Sequence, residues 1–232
     1  SYKNFELIVI NNGSTDNTQK ILRKIKDKRI KFFLLKKNIG RTKCLNLGLK
    51  KCRGKYIAIQ DSDDISKKSR IKILLDQLEK EENLGLVASN YNIINENNVI
   101  TSKIKIEEDL YEYPKKLIFH NSIAHSTVMF KKKVIDLIGN YPINFNYAQD
   151  YAFYLKIITK FRIKIIKKNL ANLRINHKNS ETYRLRKSIS TQVEELKLIY
   201  WVLNNIKTNF IEKFKIIYKV QIIFIKIIRS FF

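Results

Sequence analysis

Apolar residues in the first half of the chain alternate between short runs and helical spacing. The runs that predict β-strands cover residues 5–10, 30–35, 56–59 and 84–90. Apolar residues three or four apart predict α-helices over residues 17–28, 41–52 and 66–82. Strands that alternate with helices predict an α/β fold with a mostly parallel sheet flanked by helices. Ligands of such sheets bind at the carboxyl ends of the strands.

The second half of the chain is less regular, and its last part is wholly helical. Alternation over residues 91–106 predicts a hairpin that turns near 95–98. The further predicted elements are a helix over 114–120, a strand over 126–130, a short helix that ends at Gly139, a helix over 149–158 and a strand over 162–166. We therefore expect an α/β domain over residues 1–180 and a helical extension over residues 181–232.

Three carboxylates follow directly on the strand predicted at residues 56–59. They belong to the run Gln60-Asp61-Ser62-Asp63-Asp64. Crowded carboxylates raise one another's pKa, so they are stable together mainly where a hard cation or a hydroxyl donor shares the cluster. The alternative is an acidic turn in which an Asp or Ser caps the next helix. These residues alone support a metal site and a helix cap equally well.

The chain is strongly basic, but its charge is a weak guide to a partner. Its 46 Lys and Arg residues exceed its 21 Asp and Glu residues, which gives a formal net charge of +25. Lysine dominates and is spread along the chain, whereas recognition of bases favours the planar guanidinium of arginine. We therefore expect no specific nucleic-acid binding, and the charge is compatible with attraction to anionic lipid headgroups.

Several features bear on where the protein acts. Cys44 and Cys52 lie in one predicted helix and are expected to be reduced thiols. No signal peptide precedes the first predicted strand, and no run of about 18 uncharged apolar residues predicts a spanning helix. These observations predict a cytoplasmic protein. Residues 209–230 predict an amphipathic helix that lies on the anionic inner face of the cell membrane or packs on its own domain or a second subunit.

Several separate motifs, taken in order, resemble those of the family 2 glycosyltransferases. The motifs are the run at 5–18, Asn38-x-Gly40, Asn46-x-Gly48, residues 54–57 before Asp61-Ser62-Asp63-Asp64, residues 125–129, Gln149-Asp150 and residues 174–177. Their order and spacing over residues 1–180 carry the resemblance. The family implies the GT-A fold, with a Rossmann-like and mostly parallel sheet, and transfer of a sugar from a nucleotide-diphosphate sugar.

The resemblance implies donor-side roles for the earlier motifs. Asn12 matches a position, usually an acid, that contacts the uracil or ribose of the donor. Asp61 and Asp63 match the acids of the DXD motif, with Asp63 as the expected ligand of Mn²⁺ or Mg²⁺ and Asp61 as a ribose contact or support of the metal. Asp64 shares this work or caps the next helix. A cation held there neutralises the charge that develops on the diphosphate as the sugar leaves.

The later motifs imply acceptor-side roles. Asp150 matches the catalytic base, which removes the proton of the acceptor hydroxyl as its oxygen attacks C1, so that the anomeric centre is inverted. Gln149 stands where Glu is usual and supports the base, and His125 matches a position at the active-site floor. Arg174 and His177 match a block near the diphosphate. The alternatives are a first-turn helix acid for Asp150, a hydrogen-bonded structural His125, and ordinary surface cations.

The chain departs from the family pattern at its start. The sequence lacks the strand, loop and helix that normally precede the motif at residues 1–6. That strand is central in the family's sheet, and a sheet without it leaves backbone groups unpaired. We expect a fragment with an unread upstream start, rather than a decayed copy, because the later motifs keep their acids.

The expected function is metal-dependent, inverting transfer of a sugar, of the hexosyl or N-acetylhexosaminyl class, from a UDP-sugar to a hydroxyl of a glycan or lipid-linked acceptor in cell-surface polysaccharide synthesis. A nucleotidyltransferase is one alternative, although the sequence has no Gly-rich phosphate loop that carries Lys or Arg. A non-catalytic basic module that binds anionic lipid or nucleic acid is another. A processive synthase is not expected, since neither a Gln-x-x-Arg-Trp motif nor a predicted spanning helix occurs.

Overall fold

The computed structural model describes residues 2–106, 116–175 and 188–230 and confirms an α/β fold. The strands are β1 Leu7–Asn11, β2 Ile30–Leu34, β3 Tyr56–Ala58, β4 Ile65–Ser66, β5 Leu84–Ile94, β6 Ile100–Ile104, β7 Met129–Lys131 and β8 Arg162–Arg174. Strands β1 and β2 are parallel and form a sheet of their own. The other six form a second sheet in the order β3-β7-β5-β8-β4, with β6 paired to β5.

The larger sheet is mixed, which differs from the expectation of a mostly parallel one. Strands β5 and β8 run parallel, whereas β3, β4, β6 and β7 pair antiparallel with their neighbours. Alternation of strands with helices predicts the parallel pair β1–β2, whose strands are joined by a helix, whereas two further strands and two helices among the described residues lie between β5 and β8 in the chain. Strand β4 lies where no strand was predicted, and apolar periodicity does not show in which direction a strand such as β7 runs. Strand β8 also extends to Arg174, beyond its predicted end at residue 166, because it follows β5 past register shifts near Asn90.

The helices lie close to their predicted positions. They are α1 Thr18–Leu22, α2 Arg41–Lys51, α3 Arg70–Lys80, α4 Lys132–Ile138, α5 Gln149–Ile158, α6 Ile189–Asn205 and α7 Phe210–Arg229. Helix α1 is shorter than predicted. Helix α3 begins at Arg70 rather than at residue 66 because Ile65 and Ser66 form β4, which pairs with β8. A 3₁₀ turn at His125–Thr127 replaces the start of the strand predicted at 126–130.

One hydrophobic core joins the larger sheet to the C-terminal helices. Buried side chains of this core include Phe130 of β7, Phe153 of α5, Leu198 of α6, and Ile216 and Ile223 of α7. The two last helices therefore pack on the same core as the sheet. The boundary predicted at residue 180 falls within residues 176–187, which lie outside the described residues.

Helix α7 buries one stripe and exposes a second apolar face. Ile216 and Ile223 lie in the core. The exposed apolar side chains are Phe210, Ile211, Phe214, Ile217, Tyr218, Phe224, Ile225 and Ile228. In the ranges that the structure describes, every helix is too short or too polar to cross a membrane. The helix thus packs on its own domain and still presents a wide apolar surface.

Candidate active site

The acid loop, residues 60–64, follows β3 and is held in place by the buried side chain of Arg70. Arg70 opens helix α3 and is only 2% exposed. Its guanidinium donates to the backbone oxygens of Ile59 at 2.6 Å and Val128 at 3.2 Å, and to Gln60 Oε1 at 3.2 Å. Gln60 Nε2 donates in turn to two backbone oxygens of the loop, each at 3.0 Å. Arg70 therefore supports the loop through the Gln60 side chain and through the end of the strand that leads into it.

Asp61 of the acid loop pairs with Arg41, the first residue of α2. Arg41 Nη2 lies 2.8 Å from both carboxylate oxygens of Asp61. The Asp61 backbone N–H donates to Ser126 Oγ at 2.9 Å. The pair is accessible to a ligand, since the side chains of Arg41 and Asp61 are 50% and 29% exposed. The predicted donor-side acid thus lies beside a cation.

His125 connects this ion pair to the protein interior. Its ring is buried, with Nδ1 3.3 Å from Arg41 Nη2 and Nε2 3.0 Å from the Tyr141 hydroxyl. Because the guanidinium can only donate, Nδ1 accepts, and Nε2–H therefore donates to Tyr141. Burial lowers the pKa of His125, while the nearby carboxylates of Asp150 and Asp61 oppose this effect. The imidazole is therefore held in its neutral form.

Asp150 lies in the first turn of α5, and its negative charge raises the pKa of His125 and of Tyr141. Burial raises the pKa of the Asp150 carboxyl, and His125 and Arg41 act in the opposite direction. Its Oδ1 accepts the backbone N–H of Tyr151 at 2.8 Å. A carboxylate with a raised pKa is a stronger base than an exposed one, which suits proton removal near neutral pH. Arg41, the partner of Asp61, and His125 therefore both favour the charged form of the predicted base, whose side chain is half-buried.

Asp63 and Asp64 have different surroundings. Asp64 Oδ1 accepts the backbone N–H of Arg174 at 2.9 Å. Burial raises the pKa of Asp64, and hydrogen bonds from Ser126 and Arg174 oppose this. Asp63 is exposed, and no described residue donates a hydrogen bond to its carboxylate. Asp63 is therefore the acid of the loop that is most open to an incoming ligand.

Arg174, predicted to lie near the diphosphate, braces the acid loop instead of facing its carboxylates. Its Nε donates to the backbone oxygen of Asp63 at 3.1 Å, and its Nη1 to those of Asn95 at 2.6 Å and Glu96 at 3.1 Å. Its Nη2 donates to the side chain of Asn98. These bonds tie the loop to the turn between β5 and β6. His177, assigned to the same block, lies outside the described residues.

Asn12, predicted to contact the nucleotide, joins the loops that follow β1 and β2. Its Nδ2 donates to Asn38 Oδ1 at 2.8 Å, and its Oδ1 accepts the backbone N–H of Ile39 at 2.9 Å. Gly13 has a φ of 75°, and a Cβ there would lie 2.5 Å from the backbone carbon of Lys37. The two loops therefore pack closely beside the start of α2.

Arg41, Arg70 and Tyr141 belong to none of the motifs that mark the site in the sequence. A usable signal existed for Arg41, because it follows Asn38-x-Gly40 directly in a chain where lysine far outnumbers arginine. No pattern marked Arg70, whose partners Ile59, Gln60 and Val128 lie on two other segments of the chain. Gln149, beside the predicted base, is buried, and its Oε1 has no hydrogen-bond partner among the described residues.

The described residues offer a metal ion few protein ligands. Among them no group of three or more His, Cys, Asp or Glu side chains could hold an ion. Asp61 is paired with Arg41 and Asp64 is bonded to the Arg174 backbone, which leaves Asp63. Mg²⁺ often binds through one or two carboxylates while substrate phosphates supply further oxygens, and Mn²⁺ accepts similar ligands. The site therefore fits a cation that binds together with a diphosphate.

The chain belongs to glycosyl transferase family 2, whose family model matches residues 1–138. An uncharacterized glycosyltransferase of Haemophilus influenzae is 32% identical over 236 residues, which cover 89% of this chain and 71% of that protein. The Escherichia coli UDP-Glc:alpha-D-GlcNAc-diphosphoundecaprenol beta-1,3-glucosyltransferase WfgD is 28% identical over 166 residues, which cover 72% of this chain and 63% of WfgD.

Solved structures with the same architecture confirm the predicted GT-A fold. Staphylococcus aureus TarS residues 1–349, in complex with UDP-GlcNAc, has a TM-score of 0.66 and 19% identity, and covers 94% of this chain and 62% of that chain. The mannosyltransferase PcManGT from Pyrobaculum calidifontis, in complex with GDP-Man and Mn²⁺, has a TM-score of 0.62 and 16% identity. The match covers 93% of this chain and 59% of that chain. This chain thus spans less than two thirds of WfgD and of both solved chains.

Proposed function

We propose that this protein transfers a sugar from a UDP-sugar to a hydroxyl of a glycan or lipid-linked acceptor in cell-surface polysaccharide synthesis. The observation that carries the proposal is the pairing of Asp61 with Arg41, which also contacts His125, in a family 2 chain whose half-buried Asp150 lies at the start of α5. UDP is favoured because WfgD is named for UDP-Glc and TarS is bound to UDP-GlcNAc, although PcManGT is bound to GDP-Man. The name of WfgD also supports a lipid diphosphate as acceptor.

Asp150 is proposed to act as the general base. Its carboxylate takes the proton of the acceptor hydroxyl while the acceptor oxygen forms a bond to C1 of the donor sugar. The bond from C1 to the diphosphate oxygen breaks, and its electron pair leaves with the nucleotide diphosphate. Attack from the opposite face inverts the anomeric centre. Burial supports this role because it raises the pKa of Asp150, and a general base works best when its pKa is near the operating pH.

The acid loop is proposed to bind the donor. Asp63 would hold Mn²⁺ or Mg²⁺, and the cation supplies charge neutralisation for the leaving diphosphate. Asp61 would contact the ribose or support the metal site, with Asp64 keeping the loop in place. The remaining lone pair of Asn12 Oδ1 is available to the nucleotide.

The supporting residues complete the proposed site. Arg174 would act through the loop backbone that it holds, and His177 is proposed to bind the diphosphate. Gln149 and His125 would shape the surroundings of the base. A PcManGT structure that contains Mn²⁺ supports the choice of cation.

The test is a transfer assay with the purified chain, UDP-Glc and UDP-GlcNAc as donors, added Mn²⁺ and a sugar-diphosphate lipid as acceptor. Asp150→Asn should lower kcat at least ~100-fold, since general-base catalysis contributes roughly that much or more. Asp63→Asn should raise the Mn²⁺ concentration needed for half-maximal rate. Asp76→Asn, a control acid on α3 that pairs with Lys72, should change neither value. Full turnover by both site variants would refute the assigned roles.

The proposal includes peripheral attachment to the anionic inner face of the cell membrane through residues 209–230. Helix α7 exposes eight large apolar side chains there, and Phe210 alone is 84% exposed. Lys213, Lys215, Lys226 and Arg229 are exposed on the same helix and suit anionic headgroups. Lys219 does not contribute, because its Nζ donates to the backbone oxygen of Phe119 at 2.9 Å.

Vesicle flotation tests this attachment. The protein should float with vesicles that contain phosphatidylglycerol and stay at the bottom with pure phosphatidylcholine. Phe214→Gln combined with Phe224→Gln should weaken binding at least ~10-fold, because each buried aromatic ring contributes about 1.5–3 kcal/mol. Leu137→Gln, at an exposed apolar residue on α4, serves as the matched control. Equal flotation of the double variant and the control would reject the α7 surface as the contact.

A further inference from the structure

The loop that leads into α5 is held by a carboxylate from a distant helix. Glu194 of α6 is buried, and its two oxygens accept the backbone N–H groups of three successive residues. Oε1 accepts from Asn146 at 2.7 Å, and Oε2 accepts from Tyr147 at 3.0 Å and Ala148 at 2.9 Å. The proposed base, Asp150, follows two residues later. A side chain from the C-terminal helices therefore fixes the backbone that leads into the base.

This carboxylate bonds the backbone just before α5 and leaves the first turn itself without a side-chain cap. The N-cap residue Ala148 has no side-chain oxygen with which to accept the free N–H groups of the first turn. A carboxylate near a helix N-terminus also interacts favourably with the helix dipole. Hydrogen bonds to an ionised carboxylate are roughly twice as strong as neutral ones. Glu194 thus clamps the three residues that precede the first turn, whose Tyr151 N–H bonds instead to Asp150 Oδ1.

The same loop is fixed on its opposite side by α2. Thr42 Oγ1 donates to the backbone oxygen of Phe145 at 2.7 Å. Asn46 donates to the backbone oxygen of Tyr141 at 2.8 Å and accepts its backbone N–H at 3.0 Å. Helix α2 also begins with Arg41, the partner of Asp61. The loop therefore spans from the donor side of the site to α6.

We propose that Glu194 is a positioning residue for Asp150, so that helix α6 is part of the catalytic unit. This inference rests on the proposed function, because it assumes that Asp150 is the base. The clamp fixes the backbone of residues 146–148, which leads into α5, and thereby holds Asp150 in place two residues later. The charged and titratable groups around Asp150 there are His125, Arg41 and Tyr141. When the clamp is weakened, the loop moves, water enters, and the base loses its alignment with the acceptor.

The test compares Glu194→Gln with Glu195→Gln in the full 232-residue chain. The glutamine at position 194 keeps the size of the side chain but loses the charge and one acceptor oxygen. We expect kcat to fall 10- to 100-fold while the KM for the donor changes less than twofold. The acid limb of the pH profile of kcat should move to lower pH, because water that enters the loosened loop lowers the raised pKa of Asp150. Glu195→Gln, which changes the next residue in the same way, should match the wild type in all three values.

A second measurement does not depend on activity. Hydrogen exchange of the amides of residues 146–148 should be at least 10-fold faster in Glu194→Gln than in either the wild type or Glu195→Gln. Unchanged exchange would overturn the clamp. Faster exchange with an unchanged kcat and pH profile would overturn the positioning role. If the wild type transfers no sugar, the proposed function fails, and the exchange rates together with the Asp150 pKa measured by NMR in both proteins still decide on the clamp.

Discussion

Replacement of Arg70 by methionine should destabilise the protein and loosen the acid loop. Methionine fills a similar space without any hydrogen-bond donor. The Ile59 oxygen loses a 2.6 Å bond and stays in the interior, which costs about 1–3 kcal/mol. Bonds to Val128, Gln60 and Ser66 are also lost, at about 0.5–1.5 kcal/mol each.

A gain opposes this loss, because the variant no longer buries a charge. Burial lowers the pKa of Arg70 to about 10, because the charged guanidinium is less well solvated there than in water. Replacement of buried charged groups by apolar ones can return about 1–4 kcal/mol. The net expected loss of unfolding free energy is therefore about 2 kcal/mol.

Urea unfolding followed by circular dichroism measures this change. At an m-value of about 2 kcal/mol per molar, the midpoint should fall by roughly 1 M. Lys72→Met on the same helix is the control, since it removes only an exposed pair with Asp76 worth about 0.5 kcal/mol. Equal midpoints for the Arg70 and Lys72 variants would refute the view that Arg70 supports the loop.

Three further outcomes are expected. Gly13→Ala should lower unfolding free energy by about 1–3 kcal/mol in the same urea assay, because φ is positive and the new Cβ meets the backbone of Lys37. The kcat should fall as the pH decreases, because protonation removes the base. The fall should occur above the ordinary carboxyl pKa of about 4, since the pKa of Asp150 is raised, and a pH profile of kcat measures it. Arg41→Gln should raise the donor KM several-fold through repulsion between Asp61 and the diphosphate, while stability changes by less than about 1 kcal/mol.

Much of the fold could be predicted from the sequence, because it depends on local periodicity. The short apolar run before Asp61 and the helical spacing after Gln149 both reflect burial of one side of a regular element. Directions of the short strands β4 and β7 could not be predicted, since apolar periodicity shows which side of a strand is buried and not in which direction the strand runs. The length of β8 depends on irregular pairing with β5, which no local pattern records.

The site was less accessible to sequence reasoning because it is built from distant pairs. The acids of the loop were identified from their spacing, yet the pairing of Asp61 with Arg41 joins residues 20 positions apart. The Glu194 clamp joins residues nearly 50 positions apart. Asn12 and Arg174 were assigned to ligands, whereas the structure shows their polar groups bonded to neighbouring loops. Which partner a side chain meets is decided by tertiary packing and not by residue type.

The loop between α4 and α5 has a consequence for recombining related enzymes. The family match ends at residue 138, just before this loop, and invites a splice at that point. A chimera joined there would pair a foreign loop with the Thr42 and Asn46 of α2, and their hydrogen bonds would be lost unless the new loop presented the same backbone oxygens. A chimera designed to change acceptor preference should therefore take α2, the loop and α6 from the same parent enzyme. The hydrogen bonds join three segments that lie far apart in the sequence, so a single splice point cannot carry all of them.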